Sequence, residues 1–237
     1  MSAGAALMRR RHVLVVLLAV NSGATDALGF LALGGAFTSV MTGNMVLSGT
    51  GLATGDWKLV LLAASAILCF CVGCAAGARV AGTPQEGDGA WPRPICWALT
   101  VQLVITAAFA AGWWFVDAEP SDLTALCFLV MNAVGLGIQS SAVQRFGQSG
   151  LSTTYLTGTL TTLVVRLTTG RAHPGLRRSA DILAGLIGGA ALAAALMSWA
   201  PMTAPTVQLV CLAAVLTGGL LTGTPTGARR DAAAVGG

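Results

Sequence analysis

The sequence predicts an all-α integral membrane protein, and three observations predict it. Of 237 residues, 55% are hydrophobic and 9% charged, with a mean hydropathy of +0.77, whereas about 25% of residues are charged in an ordinary soluble domain. Apolar stretches near 13–33, 58–80, 95–116, 123–144, 179–200 and 205–223 each approach the roughly 20 helical residues that a hydrocarbon core demands. Finally, a polar, glycine-punctuated segment occurs twice, as TSVMTGN with Thr42 and Gly43 and as TTYLTGT with Thr157 and Gly158. The expected architecture is six full transmembrane helices plus two Gly-broken segments, re-entrant or kinked, in a single membrane domain over residues 1–237.

The first stretch follows Arg9-Arg10-Arg11-His12, a basic start that resembles a secretory signal. Ala24-Thr25-Asp26-Ala27 would be a poor cleavage site. An uncleaved helix is expected, because the repeated pattern begins near residue 21. At an offset of 115, Ala27 matches Ala142, Gly35 matches Gly150, Thr38 matches Thr153, and the two Thr-Gly pairs coincide. The repeat units then run about 13–116 and 123–223.

The polar segments themselves, near 36–54 and 150–168, carry Thr38, Ser39, Thr42, Asn44, Ser48 and Thr50 in one, and Ser152, Thr153, Thr154, Thr157, Thr159, Thr161 and Thr162 in the other. Lipid satisfies neither backbone nor hydroxyl groups, so such segments survive at membrane depth only where protein buries them or where they line a cavity. In duplicated transporters, paired and interrupted segments point to the binding site.

The remaining stretches read more simply. Gly73 with Gly77, and Gly185 with Gly189, place small residues one helical turn apart in the spans after each polar segment, a pattern for close helix packing. Cys69, Cys71 and Cys74 sit in an apolar run without a nearby His or carboxylate, which favours packing over metal ligation. The loop 81–94 is rich in Gly and Pro, the linker Asp117–Asp122 is acidic, and the tail 224–237 is expected to be disordered. Trp57, Trp91, Trp97, Trp113, Trp114 and Trp199 mostly fall near span ends, as an interfacial aromatic belt does.

Charge bears on topology. With both polar segments re-entrant and the N-terminus cytoplasmic, twelve basic residues lie inside and Lys58 lies outside; with both segments crossing, the count is ten against three. The positive-inside tendency therefore favours re-entrance modestly. Re-entrance also inverts the second unit relative to the first, whereas eight crossings would make the units parallel. Both arrangements put the C-terminus inside.

Candidate site residues follow from cost. Asp26 lies well inside a span, where a carboxylate costs about 2.5 to 3.5 kcal/mol on insertion scales. It needs a partner or a proton; Asn21, Thr25, Thr42 and Asn44 are candidates, and the carboxylate serves either as a proton or cation site or as a cap on the broken segment. Gly43 and Gly158 are expected to allow unusual backbone angles. Gln139, Ser140 and Ser141 precede the second polar segment, Ser141 standing where Asp26 does in the first unit. Arg145 and Arg166 are expected to snorkel from span ends, or to bind an anion. The site set is thus Asp26, Asn21, Thr42, Gly43, Asn44, Gln139, Ser141, Thr157, Gly158 and Thr159.

The sequence contains no HExxH, no Walker loop and no dinucleotide fingerprint, and its histidines, His12 and His173, lie in basic margins. Neither catalysis nor a cofactor, metal or nucleic-acid partner is expected.

The blocks NSGATDALGFLALGGAFTSVMTGN and GIQSSAVQRFGQSGLSTTYLTGTLTTL resemble the YoaK family of bacterial multipass inner-membrane proteins over roughly residues 13–223. The resemblance matches Asp26, Thr42, Gly43 and Asn44 in the first block and Thr157, Gly158 and Thr159 in the second; where the family shows Asn, this chain has Ser140. It implies a bacterial inner membrane and, the family being of unknown function, no substrate. The functional expectation is a small secondary transporter or permease for a small polar or ionic solute, with its site between the Thr-Gly segments. The alternative is a non-transporting membrane scaffold or regulatory protein. The bilayer and the solute are the expected partners, and a homo-oligomer is compatible with either reading.

Overall fold

The computed structural model describes residues 3–85, 88–89, 91–146, 156–169 and 175–222. The tail 224–237, the matched positions Gly150 and Thr153, Ser152 and Thr154 of the second polar segment, and His173 lie outside them. The described residues form helices α1 (Ala3–Ala32), α2 (Met41–Thr54), α3 (Trp57–Ala81), α4 (Arg93–Phe115), α5 (Asp122–Gln144), α6 (Leu156–Thr168), α7 (Gly175–Trp199) and α8 (Thr206–Thr222), with a 3₁₀ turn at Pro201–Thr203. Six of these are long and apolar enough to cross a membrane, the 3₁₀ turn extending α8. This is a multipass α-helical membrane protein.

The long helices match the apolar stretches closely, except that α1 begins ten residues before the expected start at 13. Hydropathy marks where a helix is greasy, not where it begins, and arginine is a good helix former. Arg9 and Arg10 project from this extension and are exposed.

The first polar segment is not a plain rod. With 14 residues, α2 is about 20 Å long, short of a hydrocarbon core of about 30 Å; of the second segment the structure describes the helix Leu156–Thr168. The first break lies between α1 and α2, where Gly34 and Gly35 take φ of 101° and 88°, angles that only glycine adopts without strain. Gly43 and Gly158, expected to supply such angles, are instead helical. After the double glycine the chain folds back, and Phe37 stacks on Phe30 of α1 with ring centroids 5.2 Å apart.

Local chemistry sets the other boundaries. Gly55, left-handed at φ 75°, closes α2, and the Asp56 carboxylate accepts from the amide of Leu59 at 3.0 Å to start α3, as an N-cap does. Ser121 caps α5 similarly. The indoles of Trp113 and Trp114 donate to the carbonyls of Pro201 and Met202 at 3.0 and 2.8 Å, tying the end of α4 to the turn before α8.

Two apolar clusters occupy opposite ends of the bundle. One joins Leu14, Val15 and Leu18 of early α1 to Ala81 at the end of α3, Ile95 at the start of α4, Ala142 late in α5 and Ile182 early in α7. The other joins Leu28 and the residue after α1, Leu33, to Leu62 early in α3, Trp113 late in α4 and Ala125 early in α5. Arg9, Arg10, Arg11, Arg79, Arg93, Arg145, Arg177 and Arg178 sit on elements' ends beside the first cluster, and Lys58 beside the second, where it pairs with Asp122 at 2.8 Å.

The tightest pairings are α3 on α5 and α1 on α7. A β-carbon on Gly73 would collide with the backbone of Val134, and one on Gly189 with the backbone of Val20. Here the small-residue pattern does what the sequence suggested, letting backbones approach where apolar lipid gives helices little hydrophobic reason to associate.

Candidate functional site

Asp26 lies six residues before the end of α1 and is only 7% exposed. The refolded chain after Gly35 presents its amides to this carboxylate. Oδ1 accepts from the backbone N–H of Thr38 at 2.8 Å, the Thr38 hydroxyl at 2.9 Å and the N–H of Ser39 at 2.7 Å. Oδ2 accepts from the Ser39 hydroxyl at 2.5 Å. The partners expected from sequence were Asn21, Thr25 and the polar atoms around Thr42 and Asn44; the actual ones are Thr38 and Ser39, because the reversal at Gly34-Gly35 brings their amides back to α1. The carboxylate thereby satisfies amides freed by the broken helix, which lipid could not.

Asn44 performs the matching task on α2. Fully buried, its side chain accepts from the N–H of Phe37 at 2.9 Å and donates to the carbonyl of Phe37 at 2.7 Å. Break and short helix therefore form one hydrogen-bonded unit.

Beside that unit lies a cavity of about 290 Å³, lined by Asp26, Ser39, Val40, Met41 and Thr42 from the first polar segment and the helix before it, by Phe70 of α3, by Leu156 and Thr157 of α6, and by Leu186 of α7. Residues of both Thr-Gly segments thus meet at one space. Its polar groups are a carboxylate and hydroxyls; among the described residues no Lys, Arg or His pairs with Asp26. Such a lining suits a cation or a neutral hydrogen-bond donor, and apolar walls from Met41, Phe70, Leu156 and Leu186 limit what fits.

The remaining sequence candidates are placed elsewhere. Asn21 donates to Gln139 at 2.8 Å, Gln102 donates to the same oxygen at 3.0 Å, and the Gln139 amide donates to Ser22 at 2.8 Å and to the carbonyl of Leu18 at 3.2 Å. These groups form a buried polar network across α1, α4 and α5 and do not line the cavity. Ser141, the counterpart of Asp26, donates to the carbonyls of Gly137 and Ile138 in its own helix and lies against Gly77. Thr159 is buried on α6, and Gly158 offers its carbonyl to Thr162 at 2.8 Å.

Arg145 departs from its expected snorkelling. It is 6% exposed, bonds Asp88 through two nitrogens at 3.0 and 2.9 Å and also donates to the carbonyl of Ala81. The preceding loop supplies a carboxylate, and a forked guanidinium is bound better by that than by the interface. This arginine pins the loop after α3 to the end of α5.

Gln102 was not singled out in the sequence, although a signal existed. The pentapeptide Thr100-Val101-Gln102-Leu103-Val104 recurs as Thr206-Val207-Gln208-Leu209-Val210, and Gln208 is likewise buried.

Helices of membrane length built around a buried polar break define a multipass transmembrane protein with a cavity beside that break. Residues 14–218 match the family described as "Protein of unknown function (DUF1275)", and the chain belongs to that family. It is also 30% identical, over 154 residues, to the UPF0700 transmembrane protein YoaK of Bacillus subtilis (strain 168), the match spanning 65% of this chain and 66% of that protein, just under two thirds. No solved structure matches the chain.

Proposed function

We propose that the protein is a small secondary transporter or permease whose solute, small and polar or cationic, binds between the two Thr-Gly segments. The observation that carries this reading is the shared cavity: Asp26, Ser39 and Thr42 reach it from one segment and its neighbouring helix, Thr157 from the other.

An inverted repeat with re-entrant segments accompanies the proposal, and several contacts support it. The end of α1 and the start of α3 share one apolar cluster, while the start of α1 and the end of α3 share the other. These shared clusters support a stretch between them that leaves and returns on one side. Helix α1 packs on α7 as α5 packs on α3, and α8 on α1 as α5 on α4, the pairing that two-fold-related four-helix units produce. The repeated TVQLV in α4 and α8 agrees with it. The arginine-rich end is then cytoplasmic, with both termini there and the bacterial inner membrane as the site of insertion. No catalytic step belongs to this reading.

A non-transporting scaffold has one observation in its favour, namely that among the described residues the hydrogen bonds of the Asp26 carboxylate all go to Thr38 and Ser39. Flux separates the two readings. Purified protein in liposomes is tested against a panel of small cations, amines and neutral polar solutes, with Thr42→Val and Thr157→Val as variants that leave the Asp26 bonds intact. Transport predicts a solute whose flux falls roughly two- to tenfold in each variant, the worth of one hydrogen bond. No flux or binding across the panel would leave the scaffold standing.

A further inference from the structure

A second cavity, of about 650 Å³, opens at the arginine-rich end between the N-terminal turns of α1 and α7, far along both helices from Asp26. Its walls include Arg9, His12 and Val13 from α1 and Arg177, Arg178 and Asp181 from α7. The volume falls within the range of small-molecule sites, about 300 to 1,000 Å³.

Charge in this cavity is unbalanced. Asp181 is its acid, and that carboxylate is held by Nε2 of His12 at 2.8 Å. Arg9, Arg177 and Arg178 pair with no acid among the described residues. Arg11, one residue from His12, lies over the ring of Phe146 at 3.9 Å and donates to the carbonyl of Phe146 at 3.4 Å. The second ring nitrogen of His12, Nδ1, is buried and has no partner among the described residues. Guanidinium groups from two helices therefore converge on one space with an apolar rim that includes Val13, half exposed, and the first turn of α7 adds the positive end of its dipole.

We infer that this cavity binds a phosphate group, held by Arg9, Arg177 and Arg178, with His12 and Asp181 forming its floor. Arginine forks match phosphate oxygens in pairs, and basic recesses between transmembrane helices at the cytoplasmic face receive anionic headgroups. A membrane phospholipid and a soluble phosphate share this chemistry. The site stands apart from the proposed transport cavity and holds whether or not the protein transports anything.

Native mass spectrometry of the full chain in detergent tests it, using dioleoyl phosphatidic acid against dioleoyl phosphatidylcholine, alongside thermal shifts with inorganic phosphate. Each arginine near an anionic headgroup contributes about fivefold in affinity, so Arg177→Gln with Arg178→Gln should weaken retention of phosphatidic acid by about 25-fold. Arg79→Gln with Arg93→Gln, at the same end but outside the cavity, should leave it unchanged. Selective retention of phosphatidic acid assigns the site to lipid. Stabilisation by inorganic phosphate that the double variant loses, without lipid selectivity, assigns it to a soluble phosphate. Should the double variant fail to fold, Arg9→Gln on the exposed turns of α1 repeats the measurement from the opposite wall. Binding of neither probe, or equal losses in the cavity and control variants, would overturn the inference.

Discussion

Asp26 holds two tasks at one atom group, and substitutions can part them. An asparagine keeps one oxygen for the amides of Thr38 and Ser39, while its NH₂ faces the Ser39 hydroxyl, which rotates to accept. Alanine leaves both amides buried without an acceptor, at about 1–3 kcal/mol each. Thermal unfolding in detergent should therefore place Asp26→Asn within about 1 kcal/mol of the native chain and Asp26→Ala several kcal/mol below it. Equal tolerance of both would mean that the carboxylate does not hold the break. In the ion pair between Arg145 and Asp88, the Arg145 guanidinium and the backbone N–H of Gln85 hold the Asp88 carboxyl below its ordinary value of 3.8. A depressed acid stabilises the fold above its ordinary range and loses that contribution as pH falls through the depressed value. The clasp between the loop after α3 and α5 should thus be indifferent to pH from 5 to 8 and open only under strong acid, below about 3.8. Hydrogen exchange at residues 82–85 across a pH series checks this, and Asp88→Asn should abolish the acid step.

Among the elements, α3 with α5 and α1 with α7 depend on close backbone approach. Gly73→Ala and Gly189→Ala each drive a methyl into a facing carbonyl, and overpacking of that kind costs about 1–3 kcal/mol. Gly188 is a neighbour with nothing within 4 Å of an added β-carbon, so Gly188→Ala should be neutral or gain up to about 1 kcal/mol in helix propensity. Melting temperatures of the three variants settle the point: if Gly188→Ala is as harmful as the other two, contact is not the cause. These glycines were legible in the sequence because their spacing alone puts them on one helix face. The six long helices were legible for a similar reason, since lipid demands about 20 apolar residues whatever the fold. Asp26 stood out through the cost of its charge. Its partners did not, because the amides of Thr38 and Ser39 reach it through a reversal at Gly34-Gly35 whose direction depends on the helices around it. Asn21, Gln139 and Asn44 stand out in the sequence as candidates to line a site, yet whether they face a cavity or one another is a tertiary fact with no local signature.

For the whole molecule, the path of the polar segments decides how the two units relate. If residues 33–56 leave and return on one side, the turn at Gly55-Asp56 faces the same side as Lys58 and the acidic linker Asp117–Asp122, opposite to Arg79 and Gln85. If they cross, the turn joins the arginines and Gln85 moves to the other face. Hydrophobic contact argues for return: in a crossing chain α1 and α3 would run parallel, and Leu28 would lie level with Ala81 instead of with Leu62 and Ala66. The distribution of arginine agrees, since each positive group carried outward opposes the orientation bias. Cysteines introduced at Asp56 and Gln85, in a chain whose own six are replaced, carry the decision to whole cells with a membrane-impermeant maleimide. Position 56 should label from outside, and position 85 only after the membrane is opened. The reverse pattern would make the units parallel and end the proposal that Thr42 and Thr157 reach the cavity from opposite faces.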